Sequence, residues 1–295
     1  VKALHTFWAF TRPHTIIGSA VSVTALAFMA DSAAIFPTSF FALTLISALA
    51  CNVFITGYNQ VTDVELDRVN KPDLPLASGA MTMRAGRITV GSALGISLLA
   101  AALVSTFLLL LVGGIAVLGF LYSWKHVFLK RSHLTAAFAI TAVRGILINA
   151  GFYLHFSGEA QLSAVPVEIW LLTAFITLFS LGIAWFKDIP DMRGDAEAEI
   201  GTLAVKTGAR KAFAAGVVTV GIGYLAGILV PLLTTFGAGS PPIVAVGHLI
   251  IGVVFIAFSA KTDPREHREI QRFYRLFWVL FFAEYILFAA AFAAV

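Results

Sequence analysis

The chain has 295 residues, of which 59% are hydrophobic and 12% charged, with a mean hydropathy of +0.90 and a net charge of +4. That composition excludes an ordinary soluble domain, and the single cysteine, Cys51, excludes an internal disulfide. A pI near 9.3 invites a nucleic-acid partner, but the placement of the basic residues accounts for the charge without one.

The first eight residues, from Val1 to Trp8, read as an amphipathic interfacial stretch rather than a cleavable signal. Nine apolar runs follow, each long enough for a bilayer crossing, at about 14–31, 36–60, 88–106, 107–122, 134–154, 166–187, 211–233, 242–260 and 273–294. The turn between the third and fourth is the least defined, because the fourth run is short and contains Gly113-Gly114. Of the twenty Lys and Arg, nineteen lie in the amino-terminal segment or around 61–87, 123–133, 187–211 and 261–275, all on one side if there are nine crossings. The connections near 31–37, 155–165 and 234–241 carry none, so the basic side and the amino terminus are assigned to the cytoplasm. The expectation is an all-α polytopic bundle forming one domain over 1–295, in contact with membrane lipid and without nucleic acid. With no transit peptide visible, a prokaryotic plasma membrane is the expected location.

Two acidic blocks interrupt the apolar pattern. Asn59-Gln60-Val61-Thr62-Asp63 continues to Asp67, Arg68, Lys71 and Pro72 at the end of the second run. Asn59, Asp63 and Asp67 are spaced i, i+4, i+8, one above another on a helix face, where like charges repel unless a cation bridges them. Hard oxygen ligands of this kind suit Mg²⁺, which binds through a few carboxylates and substrate phosphates. Lys187-Asp188-Ile189-Pro190-Asp191, continuing to Asp195, repeats the arrangement after the sixth run. Pro190 is expected to kink or restart the helix there, which leaves the direction of Asp188 open. Both blocks fall on the basic side, as two walls of one site must. The recurrence of crossing plus acidic block hints at two related halves.

Other residues carry weaker signals. Arg68, Lys71, Lys130, Arg131 and Lys187 suit a metal-bound phosphate, although Lys130-Arg131 also fits a membrane anchor. Tyr122 fits an interfacial aromatic, or a ring face beside a cation. Arg144 lies about ten residues into its crossing, roughly 15 Å deep, and either binds a substrate carboxylate or pairs with Glu284, the other deep charge. Arg12 and His14 are candidate contacts for the same substrate. Glu65, Glu197 and Glu199 read as solvent-facing. His126, His155, His248 and His267 show no metal-type spacing, and there is no cysteine cluster for zinc.

Asn59-Gln60-x-x-Asp63-x-x-x-Asp67 together with Lys187-Asp188-x-x-Asp191-x-x-x-Asp195 resembles the two aspartate-rich motifs of the UbiA superfamily of intramembrane prenyltransferases. Gln60 departs from the commoner Asn-Asp start of the first motif and resembles the homogentisate prenyltransferase branch. So do the strings Arg12 to Gly18 and Val69 to Gly79, and the segment from Val143 to His155 is similar too. The resemblance spans most of residues 1–210. It implies nine helices around a central cavity capped by cytoplasmic loops, with Mg²⁺ held by Asn59, Asp63, Asp67, Asp188, Asp191 and Asp195. It further implies transfer of an allylic chain (geranylgeranyl, phytyl or longer) from its diphosphate to homogentisate, with loss of the carboxylate, toward a prenylquinone. The competing expectations are transfer to another aromatic acid such as 4-hydroxybenzoate without CO₂ loss, and secondary transport, whose sites lie nearer the bilayer midplane.

Overall fold

The computed structural model describes residues 2–30, 38–233 and 241–293. Nine helices among these residues are long and apolar enough to cross a membrane: Pro13–Ala30, Ser39–Thr62, Met83–Val104, Thr106–Ser123, His133–Ser157, Val167–Asp188, Ala209–Leu233, Pro242–Ala260 and His267–Ala293. They are called the first to ninth spans. No strand occurs among the described residues, and the one isolated bridge joins Ser132 to Gly201. The connections near 31–37 and 234–241, which carry no basic residue, fall outside or at the edge of the described residues.

The ill-defined third turn resolves to a single residue. Ser105 is extended (φ −165°, ψ 156°); its amide bonds Ala101 O, ending the third span, and its Oγ accepts from Leu108 N at 3.1 Å, starting the fourth. Gly113 and Gly114 therefore lie inside a helix. The ninth span begins at His267 rather than 273, because nothing in Arg268–Arg272 breaks a helix and the whole stretch has room beyond the apolar zone.

The outside of the bundle is apolar: Leu99, Leu110, Val218 and Val253 are all well exposed, as only a lipid-facing surface tolerates. Inside, small residues and aromatics set the spacing. Ser47 and Ser97, both fully buried, exchange hydroxyl-to-carbonyl bonds of 2.8 Å between the second and third spans. The sixth span is the most enclosed; on it Phe179 stacks on Phe277 at 4.0 Å, and Phe186 meets Phe273 and Phe277 edge-on at 4.9 and 5.0 Å. A side chain at Gly216 would occupy the space of the Phe186 ring.

The amino-terminal helix Lys2–Phe10 is pinned by the residue that departs from the commoner motif. Gln60, fully buried, donates to Phe10 O at 2.7 Å, and Gly57 leaves room for the Phe10 ring. The chain then turns through Arg12, whose φ of 53° is uncommon for a non-glycine residue, and Pro13 opens the first span.

Candidate active site

The helix of the second span ends at Thr62, yet the backbone bonds Asp63 N to Asn59 O (3.0 Å), Asp67 N to Asp63 O (2.7 Å) and Lys71 N to Asp67 O (2.7 Å) carry the i, i+4 register through the short helix Val64–Asn70. The stripe of Asn59, Asp63 and Asp67 is therefore preserved. The sixth span ends at Asp188, and the helix restarts after Pro190 as Met192–Glu197, with Asp195 N bonding Asp191 O at 3.0 Å. The two short helices meet directly: Asn70 Nδ2 donates to Asp195 Oδ1, and Asn70 Oδ1 accepts from Gly194 N, both at 3.1 Å. A Cβ on Gly194 would overlap the Asn70 amide.

Asp67, Asp188, Asp191 and Asp195 are each buried. Lys130 pairs with Asp63, Lys71 with Asp191, and Lys187 with Asp188 at 2.6 Å. Asn59 joins them, donating to Asp63 Oδ2 at 2.7 Å and accepting from Arg12 at 3.3 Å. Burial raises the Asp67 carboxyl to about 6, against the pull of Arg12 and Lys71. Burial, with repulsion from Asp188 and Asp191, raises Asp195 to about 7. Burial also lowers Lys130, opposed by its contact with Asp63.

These residues line the mouth of a cavity of about 580 Å³. Its walls run inward along the first, second and fourth spans past Val23, Ala48, Cys51, Val112 and Ile115, an apolar slot. Tyr122, His14 and Arg144 also line it. The Arg144 guanidinium lies 4.9 Å from the Trp278 ring centroid, and His14 meets the same indole edge-on at 4.8 Å.

Two expected phosphate contacts do not join the cavity. Arg68 faces solvent and bonds Glu65 at 2.7 Å, because it sits on the opposite side of its short helix from the stripe. Arg131 is exposed and lies 3.9 Å from Glu199. Phe128 is left-handed (φ 48°) and leads into a 3₁₀ turn, Leu129–Arg131, which points Lys130 inward and its neighbour out. The Arg144–Glu284 pair is also absent: Glu284 Oε2 stands 3.3 Å from His248 Nε2, both side chains fully buried. Asn70, Gln271, Tyr274, Arg275 and Trp278 line the cavity without having been singled out. Asn70 continues the stripe at i+11 from Asn59, and 271, 274, 275 and 278 form a helical row that a crossing begun at 273 conceals.

Among the described residues no three acidic or histidine side chains converge as an ion's cage. The fit to Mg²⁺ rests instead on the donor set, all hard oxygens, and on Asp67 Oδ2, a buried carboxylate oxygen with no hydrogen-bond partner. One or two such carboxylates suffice where the substrate's own phosphates complete the coordination.

Fold and site together define a polytopic helical membrane protein with carboxylates and lysines at the mouth of an intramembrane cavity. Residues 20–282 match the UbiA prenyltransferase family, and the chain belongs to that family and is an enzyme of its kind. It is 38% identical to a homogentisate phytyltransferase of Synechocystis over 99% of this chain and 96% of that protein. It is 36% identical to the chloroplastic homogentisate phytyltransferase 1 of Arabidopsis thaliana, over 97% of this chain and 75% of that one. A UbiA homologue from Archaeoglobus fulgidus, solved with GPP and Mg²⁺, shares the fold with a TM-score of 0.68 at 18% identity, over 97% of this chain and 99% of that chain.

Proposed function

We propose that this protein transfers an allylic prenyl chain from its diphosphate to homogentisate in an Mg²⁺-dependent reaction that releases CO₂, and that residues 1–295 act as one domain. The observation that carries the proposal is the polarity of a single cavity. Its mouth holds two carboxylate stripes and three lysines, its walls are apolar, and Arg144 lies within it on Trp278 with no carboxylate pairing it among the described residues. The homogentisate phytyl- and geranylgeranyltransferase names of the similar proteins support this acceptor.

In this reading the diphosphate lies at the mouth and the chain in the apolar slot. Asp63, Asp67, Asp191 and Asp195, with Asn59 and Asp188 beside them, would hold Mg²⁺, which when bound supplies positive charge against the phosphate oxygens. As the allylic C–O bond breaks, Lys71, Lys130 and Lys187 face the charge that builds on the leaving diphosphate. The cavity walls keep water from the allylic cation, and the Tyr122 ring face stabilises it. Arg144 binds the acceptor's carboxylate, with His14 and Arg12 beside it, so that the electron-rich ring attacks the cation; the ring proton at the attacking carbon is lost, the side-chain carboxylate leaves as CO₂, and a proton takes its place on the methylene carbon. The mouth and the amino terminus face the basic, cytoplasmic side of a prokaryotic plasma membrane.

The test is turnover of carboxyl-labelled homogentisate with geranylgeranyl diphosphate by the purified protein, with and without Mg²⁺. Prenylated product and labelled CO₂ are expected only with the ion, and Asp191→Ala is expected to lose at least about 10²-fold in kcat. Product without CO₂ from 4-hydroxybenzoate, and none from homogentisate, would assign the other acceptor.

A further inference from the structure

Arg144 projects from a place where the fifth span is not an α-helix. Ala142–Gly151 is a π-helix, with α-helix before and after it. Widening the turn moves each carbonyl's backbone donor from i+4 to i+5, and π-helical turns of this kind occur frequently at functional sites. Inside this stretch the fully buried amide of Asn149 donates through Nδ2 to Gly145 O at 2.7 Å and Arg144 O at 3.3 Å, a side-chain clasp on two carbonyls of the widened turn. Its Oδ1 in turn accepts from the hydroxyl of Tyr285, on the ninth span, at 2.8 Å.

The ninth span therefore holds Arg144 at both ends. Tyr285, through Asn149, fixes its backbone. One and two turns earlier on the same helix, Phe281 and Trp278 flank its guanidinium at 6.0 and 4.9 Å. Arg144 forms no ion pair among the described residues, so packing and these two side chains set its direction.

We propose that Tyr285 and Asn149 are positioning residues for the acceptor: through the π-helical turn they aim Arg144 at the acceptor's carboxylate and so help select an acidic aromatic substrate. The proposal rests on the acceptor assignment above. A bond that merely stapled the fifth span to the ninth would affect both substrates alike, which gives the test its form.

The experiment is equilibrium dialysis of labelled homogentisate, and separately of geranylgeranyl diphosphate with Mg²⁺, onto the full-length detergent-solubilised protein. The proteins compared are wild type, Tyr285→Phe, Asn149→Ala, Arg144→Lys and the Tyr285→Phe/Arg144→Lys double variant. Tyr285→Phe is expected to weaken homogentisate binding about tenfold, as loss of one buried hydrogen bond can, with diphosphate binding unchanged. On the Arg144→Lys background the same change is expected to add little. Asn149→Ala, which removes the link itself, is expected to match or exceed Tyr285→Phe. Equal weakening of both ligands, no weakening of homogentisate, or a full additive effect beside Arg144→Lys would overturn the proposal. If wild type bound the diphosphate but no homogentisate, the acceptor assignment itself would fall, a result distinct from any of these.

Discussion

Asp67 and Asp195 show how burial prepares a carboxylate for an ion. Their carboxyls, raised to about 6 and about 7, hold protons at mildly acidic pH that a metal must displace, since only the carboxylate is a ligand. Apparent Mg²⁺ affinity is therefore expected to rise from pH 5.5 to 7.5, with protons released at the acid end and the curve flattening above both values. Calorimetry in two buffers of different ionisation enthalpy would read the released protons directly, and an affinity independent of pH across that window would remove both residues from the ligand set. At this scale the sequence was partly legible. The spacing of Asn59, Asp63 and Asp67 fixed their shared face because helical register is local. The inward turn of Lys130 and the outward turns of Arg68 and Arg131 were not legible, because adjacent basic residues look alike until the backbone chooses a side.

At the scale of elements, the site is a contact between two short helices, Val64–Asn70 and Met192–Glu197, each hung from the end of a long span. Gly194 is the point of closest approach. Gly194→Ala is expected to push the Asn70 amide away, separate the two acidic stripes and lower turnover by an order of magnitude or more. The bundle should keep its thermal midpoint to within a few degrees, since no core residue changes. A loss of stability matching the loss of activity would show instead that the helix pair supports the fold. Helix ends explain several differences between expected and observed bounds. Ser105 serves as the cap of two helices at once, and a π-helix leaves no compositional mark, so the fifth span reads as an ordinary apolar run.

Across the whole molecule, the last two spans are joined by a buried polar pair remote from the cavity. His248 Nδ1 lies 2.8 Å from Val244 O, a group that only accepts, so Nδ1 carries hydrogen and Nε2 faces Glu284 at 3.3 Å. Gly227 leaves the space that the imidazole fills. Removing the imidazole leaves the buried Glu284 carboxyl with the Tyr224 hydroxyl beside it and an empty space opposite. His248→Ala is thus expected to cost about 1–3 kcal/mol of stability, while His248→Leu with Glu284→Leu together cost less, as read by thermal unfolding in detergent. Equal losses in both would mean that cavity formation, not the acid's lost partner, sets the cost.

The sequence by itself determined the environment, the number of crossings and the two acidic stripes. Hydropathy over twenty residues and spacing over eight are properties of a contiguous chain, and each acts over a few turns of helix. The tertiary structure alone decided which polar groups meet: Lys71 with Asp191, Lys130 with Asp63, Asn70 with Asp195, and Glu284 with His248 rather than Arg144. Those partners lie between 36 and 125 positions apart along the chain. Only the packing of the spans, set by small residues and aromatic rings throughout the core, brings them within hydrogen-bonding reach.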